Sequence, residues 1–232
     1  MDDLVSSLRA NGARRGRNAL SVFDELRADI IALKLEPGTV LSRAALQERF
    51  GVSSTPIRDA LMRLEEEHLV EVFPQSSTLV APIDLEQARE AQFLRRSLEI
   101  EVIRTLARQP DAALTERLRS LIRQGQAFAD LNEIESFAHA DQMFHRTMFE
   151  GARVVGLWLL VQRQSGHINR LRRLHLPVKG KMTEILAAHA RIVDGIAAGD
   201  AAGAEAAMRD HLSRSLDFVD RLSESYPQYF RK

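Results

Sequence analysis

Val22, Leu26, Ile30 and Ile31 recur at helical spacing, and Pro37-Gly38 follows, so the pattern predicts a first helix over 21–35 that stops at this turn. A short helix over 43–50 comes next, with Ser42 placed to cap it and Gly51 to turn the chain. A third helix is expected from a cap at Ser53 or Ser54 through Glu67, with Pro56 in its first turn, where a missing amide hydrogen does no harm. Leu61 and Leu64 face one side of it and Arg58 another. Leu69-Val70-Glu71-Val72-Phe73 and Thr78-Leu79-Val80 then read as two short strands joined by Pro74-Gln75-Ser76-Ser77. Three helices and a hairpin in this order predict a winged helix-turn-helix over 20–82.

From about Asp84 the pattern becomes long amphipathic helices with almost no strand signal. They are expected over 84–109, 111–129, 132–150, 153–174, 179–198 and 201–223, with Pro110, Gly151, Pro177 and Gly199 at breaks. The chain is therefore predicted to be mostly α. It has a flexible arm over 1–19, the winged unit over 20–82, an all-helical six-helix bundle over 83–224 and a tail over 225–232.

With 232 residues, 45% of them hydrophobic, there is enough apolar material for two cores. The absence of cysteine removes disulfides, thiolate nucleophiles and thiolate zinc sites, so a metal would have to be held by imidazole and carboxylate. The first residues, MDDLVSSLRANGARRGR, lack the apolar core of a signal peptide, and no run of about 18 apolar residues occurs. A soluble, cytoplasmic protein is the expectation. Formal charge is +0, from 32 basic and 32 acidic side chains, and residues 1–82 carry ten Arg or Lys against twelve Asp or Glu. Bulk electrostatics thus cannot drive nucleic-acid binding here; local placement must. Arg9, Arg14, Arg15 and Arg17 form the clearest local excess, as either a solubilising leader or an arm contacting phosphates.

A helix fits the major groove with its first turn toward bases and phosphates, which makes Ser53, Ser54, Thr55 and Arg58 the candidate readers, with Gln75 at the wing tip. Arg58 can engage guanine or phosphate with its planar fork, or simply pair with a surface acid. The wing tip Gln75-Ser76-Ser77 brings no positive charge.

Asp141 and His145 stand four residues apart on one predicted helix, and His189 and His211 lie on the last two helices with Gly199-Asp200 between them, a spacing that antiparallel helices can bring to one depth. Three neutral nitrogens and one carboxylate oxygen suit one divalent ion per protomer, zinc first, with nickel or manganese compatible. The alternative is a metal-dependent enzyme acting on a small organic acid, its N-terminal unit serving protein contacts. Against it stands the lack of a second carboxylate near the histidines, because Glu184, five residues before His189, points roughly 140° away. Phosphate-binding glycine loops, dinucleotide fingerprints and the H-E-x-x-H motif are absent too, so no enzyme is expected. His167 is a candidate for contacting a ligand.

Leu35-Glu-Pro-Gly-Thr-Val-Leu-Ser42 and Phe50-Gly-Val-Ser-Ser-Thr-Pro-Ile-Arg-Asp-Ala-Leu61 together resemble the N-terminal domain of GntR-family transcription regulators. Arg95-Arg-Ser-Leu-Glu99, Asp141-Gln-Met-Phe-His145, Ala188-His189-Ala-Arg-Ile-Val-Asp-Gly-Ile196 and Met208-Arg-Asp-His211-Leu212 resemble the FCD ligand-sensing domain of the FadR-like subfamily. The resemblance implies a homodimer on a partly palindromic operator, a repressor whose DNA affinity changes when a small organic acid binds the helical domain. It implies metal ligation by Asp141, His145, His189 and His211, and an effector-facing Arg95, whose other reading is a salt bridge with Glu99. His167-Ile-Asn-Arg-Leu-Arg-Arg-Leu-His-Leu-Pro177 resembles regulators of sugar-acid or related carboxylate metabolism. The chain departs from the family at Ser54, usually arginine, at Arg43, commonly glutamate, and at Ser77, usually glycine. Arg43 is accordingly expected to restore part of the DNA-facing charge lost at Ser54.

Overall fold

Val22, Leu26 and Ile30 are fully buried on α1 (Ala19–Ile31), each such side chain stabilising the fold by about 1.5–3 kcal/mol relative to exposure. They are seen in a computed structural model, which describes residues 19–73, 77–214, 216 and 218–231. α1 ends four residues earlier than the pattern suggested because Leu33 takes a left-handed conformation (φ 59°) and the amides of Lys34 and Leu35 return to the Asp29 carbonyl. Pro37-Gly38 makes a separate turn instead, with Gly38 at φ 84° and its amide donating to the Val80 carbonyl.

α2 (Arg43–Phe50) begins at Ser42, whose hydroxyl accepts from the Ala45 amide at 3.5 Å, and ends at Gly51 at φ 65°. α3 (Ser54–Glu66) starts after Ser53, which holds the cap position without a side-chain cap bond, and buries Ile57, Ala60, Leu61 and Leu64. Strands β1 (Val70–Val72) and β2 (Thr78–Val80) pair antiparallel with Val70 opposite Val80 and Val72 opposite Thr78. Residues 38–41 add a rung that the sequence pattern did not reveal: the Leu41 amide donates to the Thr78 carbonyl, and the Val80 amide to Thr39. The described part of the winged unit thus forms one core from three helices and the hairpin.

The chain divides after Ile83 into two compact units, and its end, from Gln228, belongs with the first. There Phe230 bridges Ile83 in parallel, with bonds from the Ile83 amide to the Tyr229 carbonyl and from the Arg231 amide to the Ile83 carbonyl, while the Arg231 guanidinium lies 2.7 Å from Glu71 on β1. Residues 225–232, expected as a tail, include the last residue of a helix, a 3-10 turn and this bridge.

The second unit is all helical. α4 (Leu85–Arg108) is capped by Asp84 and α5 (Ala112–Asp130) by Asp111, each carboxylate accepting two first-turn amides. α6 (Ile134–Gly151) starts two residues late because Asn132 is left-handed. The helix expected over 153–174 is two, α7 (Val155–Gln164) and α8 (Gly166–His175). Ser165 bonds through its hydroxyl to the Val161 carbonyl at 2.6 Å and through its amide to Gln162, which breaks the helical ladder before Gly166. α9 (Lys181–Ala197) and α10 (Ala201–Ser213) follow. The helix expected over 201–223 also divides, and α11 (Val219–Ser225) resumes after Phe218, whose ring lies 3.5 Å, centre to centre, from His175. The bundle therefore has eight described helices rather than six. Its core runs through Ile103, Leu118, Phe144, Met148, Ile192, Val193, Ile196, Met208 and Leu212.

One contact sets the depth of the functional residues. A Cβ on Gly195 would lie 2.8 Å from the Ala204 backbone, so α9 and α10 touch there almost main chain to main chain. His189 lies six residues before that crossing and His211 seven after it, which brings the two imidazoles level across the helix pair. Among the described residues, no helix is long and apolar enough to cross a membrane.

Candidate metal centre

Asp141 and His145, one turn apart on α6, meet His189 from α9 and His211 from α10, and all four are buried. One potential ligand atom from each lies within 4.8 Å of all the others, close to the spread of donors around a single ion with bonds of about 2.0–2.2 Å. The His145 Nε2 and His211 Nε2 atoms are 3.3 Å apart, and His189 Nε2 lies 3.6 Å from Asp141 Oδ1. Phe144 stacks on the His189 ring at 3.9 Å with only 6° between planes and so fixes its orientation.

Behind this cluster stands a carboxylate that the sequence reading did not place. Glu99 on α4 accepts from His145 Nδ1 at 2.6 Å through one oxygen and from Arg95 Nε at 2.9 Å through the other. Burial alone would raise the Glu99 carboxyl, but Arg95 and His145 together hold it at about 2. An ionised carboxylate only accepts, so the His145 proton sits on Nδ1 and Nε2 presents its lone pair to the cluster. The signal was present in the sequence: Arg95, Glu99, Val102 and Leu106 share one buried face of α4, and a charged pair on such a face must be spent internally.

The electrostatics of the cluster fit a cation. Burial pushes His189 down to about 3, against the pull of Asp141, and pushes His211 well below its usual value, so both rings are neutral. Burial acts to raise Asp141, but Arg172 and the three imidazoles hold it well below the usual carboxylate range; Arg172 donates to its Oδ2 at 2.6 Å. The remaining oxygen of Asp141 and the Nε2 of His189 are buried and lack hydrogen-bond partners among the described residues. A buried carboxylate oxygen and a buried imidazole nitrogen left unsatisfied beside one another are costly unless a cation or water lies between them. The residues present therefore fit a divalent ion, which Asp141, His145, His189 and His211 would hold.

Glu99 also corrects the expectation that no second carboxylate lies near the histidines. It does not revive an enzyme, since both of its oxygens are engaged and it is fully buried, which suits orienting His145 rather than activating water.

Beside His211 a cavity of about 30 Å³ is lined in part by Arg172, His175, Lys181, Arg214 and Phe218. Burial first, then the Lys181 charge, pushes His175 down to about 4, so its ring is neutral beside the three cationic side chains, each of which is paired with a carboxylate. Lys181 and Arg214 share Glu184, at 3.4 and 2.5 Å, and Arg214 also reaches Asp210 at 2.9 Å. Neither Arg95 nor His167 lines this cavity. Arg95 is committed to Glu99, and His167 Nδ1 accepts the Asp84 amide at 2.9 Å and lies 2.9 Å from Arg170, which ties α8 to the start of α4.

In the first unit, Arg43, Ser53, Ser54, Thr55 and Arg58 are all exposed. Arg58 lies 3.5 Å from Asp59, its one ion pair among the described residues, whereas Arg49 is held by Glu25 and Asp29 and Arg63 lies 3.8 Å from the centre of the Phe23 ring. Gln75, and the arm bearing Arg9, Arg14, Arg15 and Arg17, lie outside the described residues.

Comparison with known proteins decides what this assembly belongs to. The family model "Bacterial regulatory proteins, gntR family" matches residues 18–80, and the FCD domain model matches residues 90–214. The chain belongs to the GntR family. It is a DNA-binding transcription regulator with a C-terminal FCD domain, not an enzyme. An HTH-type transcriptional regulator from an unstable DNA locus of Streptomyces ambofaciens is 34% identical over 92% of this chain and 89% of its own length. The HTH-type transcriptional repressor RspR of Escherichia coli K12 is 25% identical over 90% of this chain and 92% of its own. The solved structure of E. coli McbR/YncC matches at a TM-score of 0.75 with 18% identity, covering 88% of this chain and 97% of that one, a likeness of fold.

Proposed function

We propose that this GntR regulator is a cytoplasmic homodimeric repressor that reads a partly palindromic operator and releases it when a small organic carboxylate, such as a sugar acid, enters a zinc-bearing pocket of the FCD unit. The observation that carries this reading is the buried cluster of Asp141, His145, His189 and His211 beside a cavity walled by Arg172, Lys181 and Arg214. Three imidazoles and one carboxylate suit zinc, which when bound supplies a positive centre with coordination positions left for a ligand oxygen. Arg172 reaches both Asp141 and the cavity, so an incoming carboxylate competes with Asp141 for its guanidinium. Arg95 acts one step back, through Glu99, as a positioning residue. An effector seated there displaces the side chains that line it, and that displacement is the structural change offered to the rest of the protein. That RspR is a repressor supports the sign of regulation.

At the operator, the exposed first turn of α3 supplies the readers. Ser53, Ser54 and Thr55 bring hydroxyls and first-turn amides toward phosphate, Arg58 brings a fork little engaged within the chain, and Arg43 adds charge from α2. Gln75 completes the set from the wing. Selection of genomic duplexes by the purified full chain tests this reading. One enriched family of two-fold sites is expected, with Arg58→Ala binding them about 5- to 150-fold more weakly and zinc content unchanged. No enrichment at low or moderate salt, from zinc-loaded and zinc-free protein alike, would reject it.

A further inference from the structure

The chain passes from one of its units to the other twice, at residues 83–84 and again at 227–228. Neither passage has slack. Ile83 is tied within the first unit, its amide donating to the Tyr229 carbonyl and its carbonyl accepting from the Arg231 amide. The very next residue is tied within the second, where the Asp84 amide donates to His167 Nδ1 at 2.9 Å. At the other passage only Tyr226 separates α11 from the 3-10 turn Pro227–Tyr229, and Phe230 then pairs in parallel with Ile83. The two passages are therefore clamped to each other on the first-unit side.

On the second-unit side both passages lead to one helix. α8 holds Asp84 through His167 in its first turn, and holds Phe218, the residue before α11, through His175 at its last position, the two rings lying 3.5 Å apart, centre to centre. α11 also packs against α8 and buries Val219 and Leu222. Between those two histidines the same helix carries Arg172, which donates to Asp141 of the ligand cluster at 2.6 Å. Arg172, His175 and Phe218 all line the cavity beside His211. A helix closed by its own hydrogen bonds moves as a rod, so a shift imposed at Arg172 or His175 is felt at both attachments together.

We infer that α8 and the segment from Phe218 to Arg231 form a coupling device, in which displacement at the cavity passes along α8, through Asp84 and through α11, to Ile83 and Phe230 and so to the wing. His167 and Phe218 are its positioning residues in the second unit. Its far anchor is Arg231, whose guanidinium lies 2.7 Å from Glu71, opposite Leu79 in the hairpin. Each link is a packed ring, a hydrogen bond or a covalent step, with no gap in the series. The inference rests on the reading of the cavity as an effector pocket and gives that reading a route to the DNA-binding unit.

Hydrogen–deuterium exchange on the full-length zinc-loaded protein, without DNA or effector, tests the route. Phe218→Ala opens an attachment in the second unit, and the amides to watch are those of Ile83 and Arg231 in the first. Their exchange should quicken by about 5- to 150-fold, the ordinary size of an allosteric coupling, with Val193 in the bundle core and Leu61 on α3 unchanged. Leu131→Ala, at an exposed position just after α5, should move neither amide. His167→Ala should quicken Asp84 and Ile83, and His167→Asn, which sets an amide oxygen where Nδ1 stands, should restore them; this pair decides alone if Phe218→Ala does not fold. Amides at 83 and 231 that ignore these substitutions, or that respond as strongly to Leu131→Ala, would overturn the coupling and leave the operator-release reading standing. Failure of the duplex selection would instead reject that reading, and with it the signal this route carries.

Discussion

Glu99 works through a ring nitrogen that never faces the cluster. By accepting from His145 Nδ1 it fixes the tautomer that turns the Nε2 lone pair inward, and Arg95 holds it charged in a place where burial would otherwise neutralise it. Glu99→Gln keeps the shape and can still accept a hydrogen bond from His145, but it loses the charge that makes the ring a strong donor to a cation. Competition titration against a zinc chelator should show affinity falling about 10- to 100-fold, with the fold intact by circular dichroism. Unchanged affinity would reduce Glu99 to a packing residue. Arg95 and Glu99 were legible as a four-residue pair, and that pair forms in the interior, where only paired ions survive. His167 was less legible, since a histidine bonded to a backbone amide across the bundle looks in sequence like one facing a pocket.

At the scale of elements, the close crossing of α9 and α10 places two of the four candidate ligands. Ala in place of Gly195 gains helix propensity but puts a methyl 2.8 Å from the Ala204 backbone, which unlike a side-chain tip cannot swing away. The clash should win. Gly195→Ala is expected to destabilise the protein by about 1–3 kcal/mol in urea unfolding and to weaken zinc binding by separating His189 from His211; a more stable variant with full zinc affinity would contradict this role for the crossing. Helix existence and order were readable from apolar spacing because each long helix buries one stripe. The breaks were not. Ser165 interrupts a continuous apolar pattern through a hydroxyl-to-carbonyl bond, and Leu33 and Asn132 take left-handed conformations that do not require glycine. The rung from residues 38–41 was hidden for a related reason, as its hydrogen bonds come from backbone beside a turn and leave no periodic trace.

For the whole molecule, a neutral chain is divided into a unit that exposes hydroxyls and Arg58 on α3 with Arg43 on α2, and a unit that buries a ligand set with no cysteine. The four candidate ligands could be proposed from sequence because helical spacing restricts which faces can meet. Arg172 and Arg214 could not, because nothing in the apolar spacing marks two arginines on separate helices as lining one cavity. The account stands or falls on whether those four residues hold an ion. Elemental analysis of untagged protein, incubated with zinc and freed of excess, measures this directly. One zinc per protomer is predicted for the wild type, and far less for the His189→Ala/His211→Ala double variant; equally little zinc in both would contradict the account.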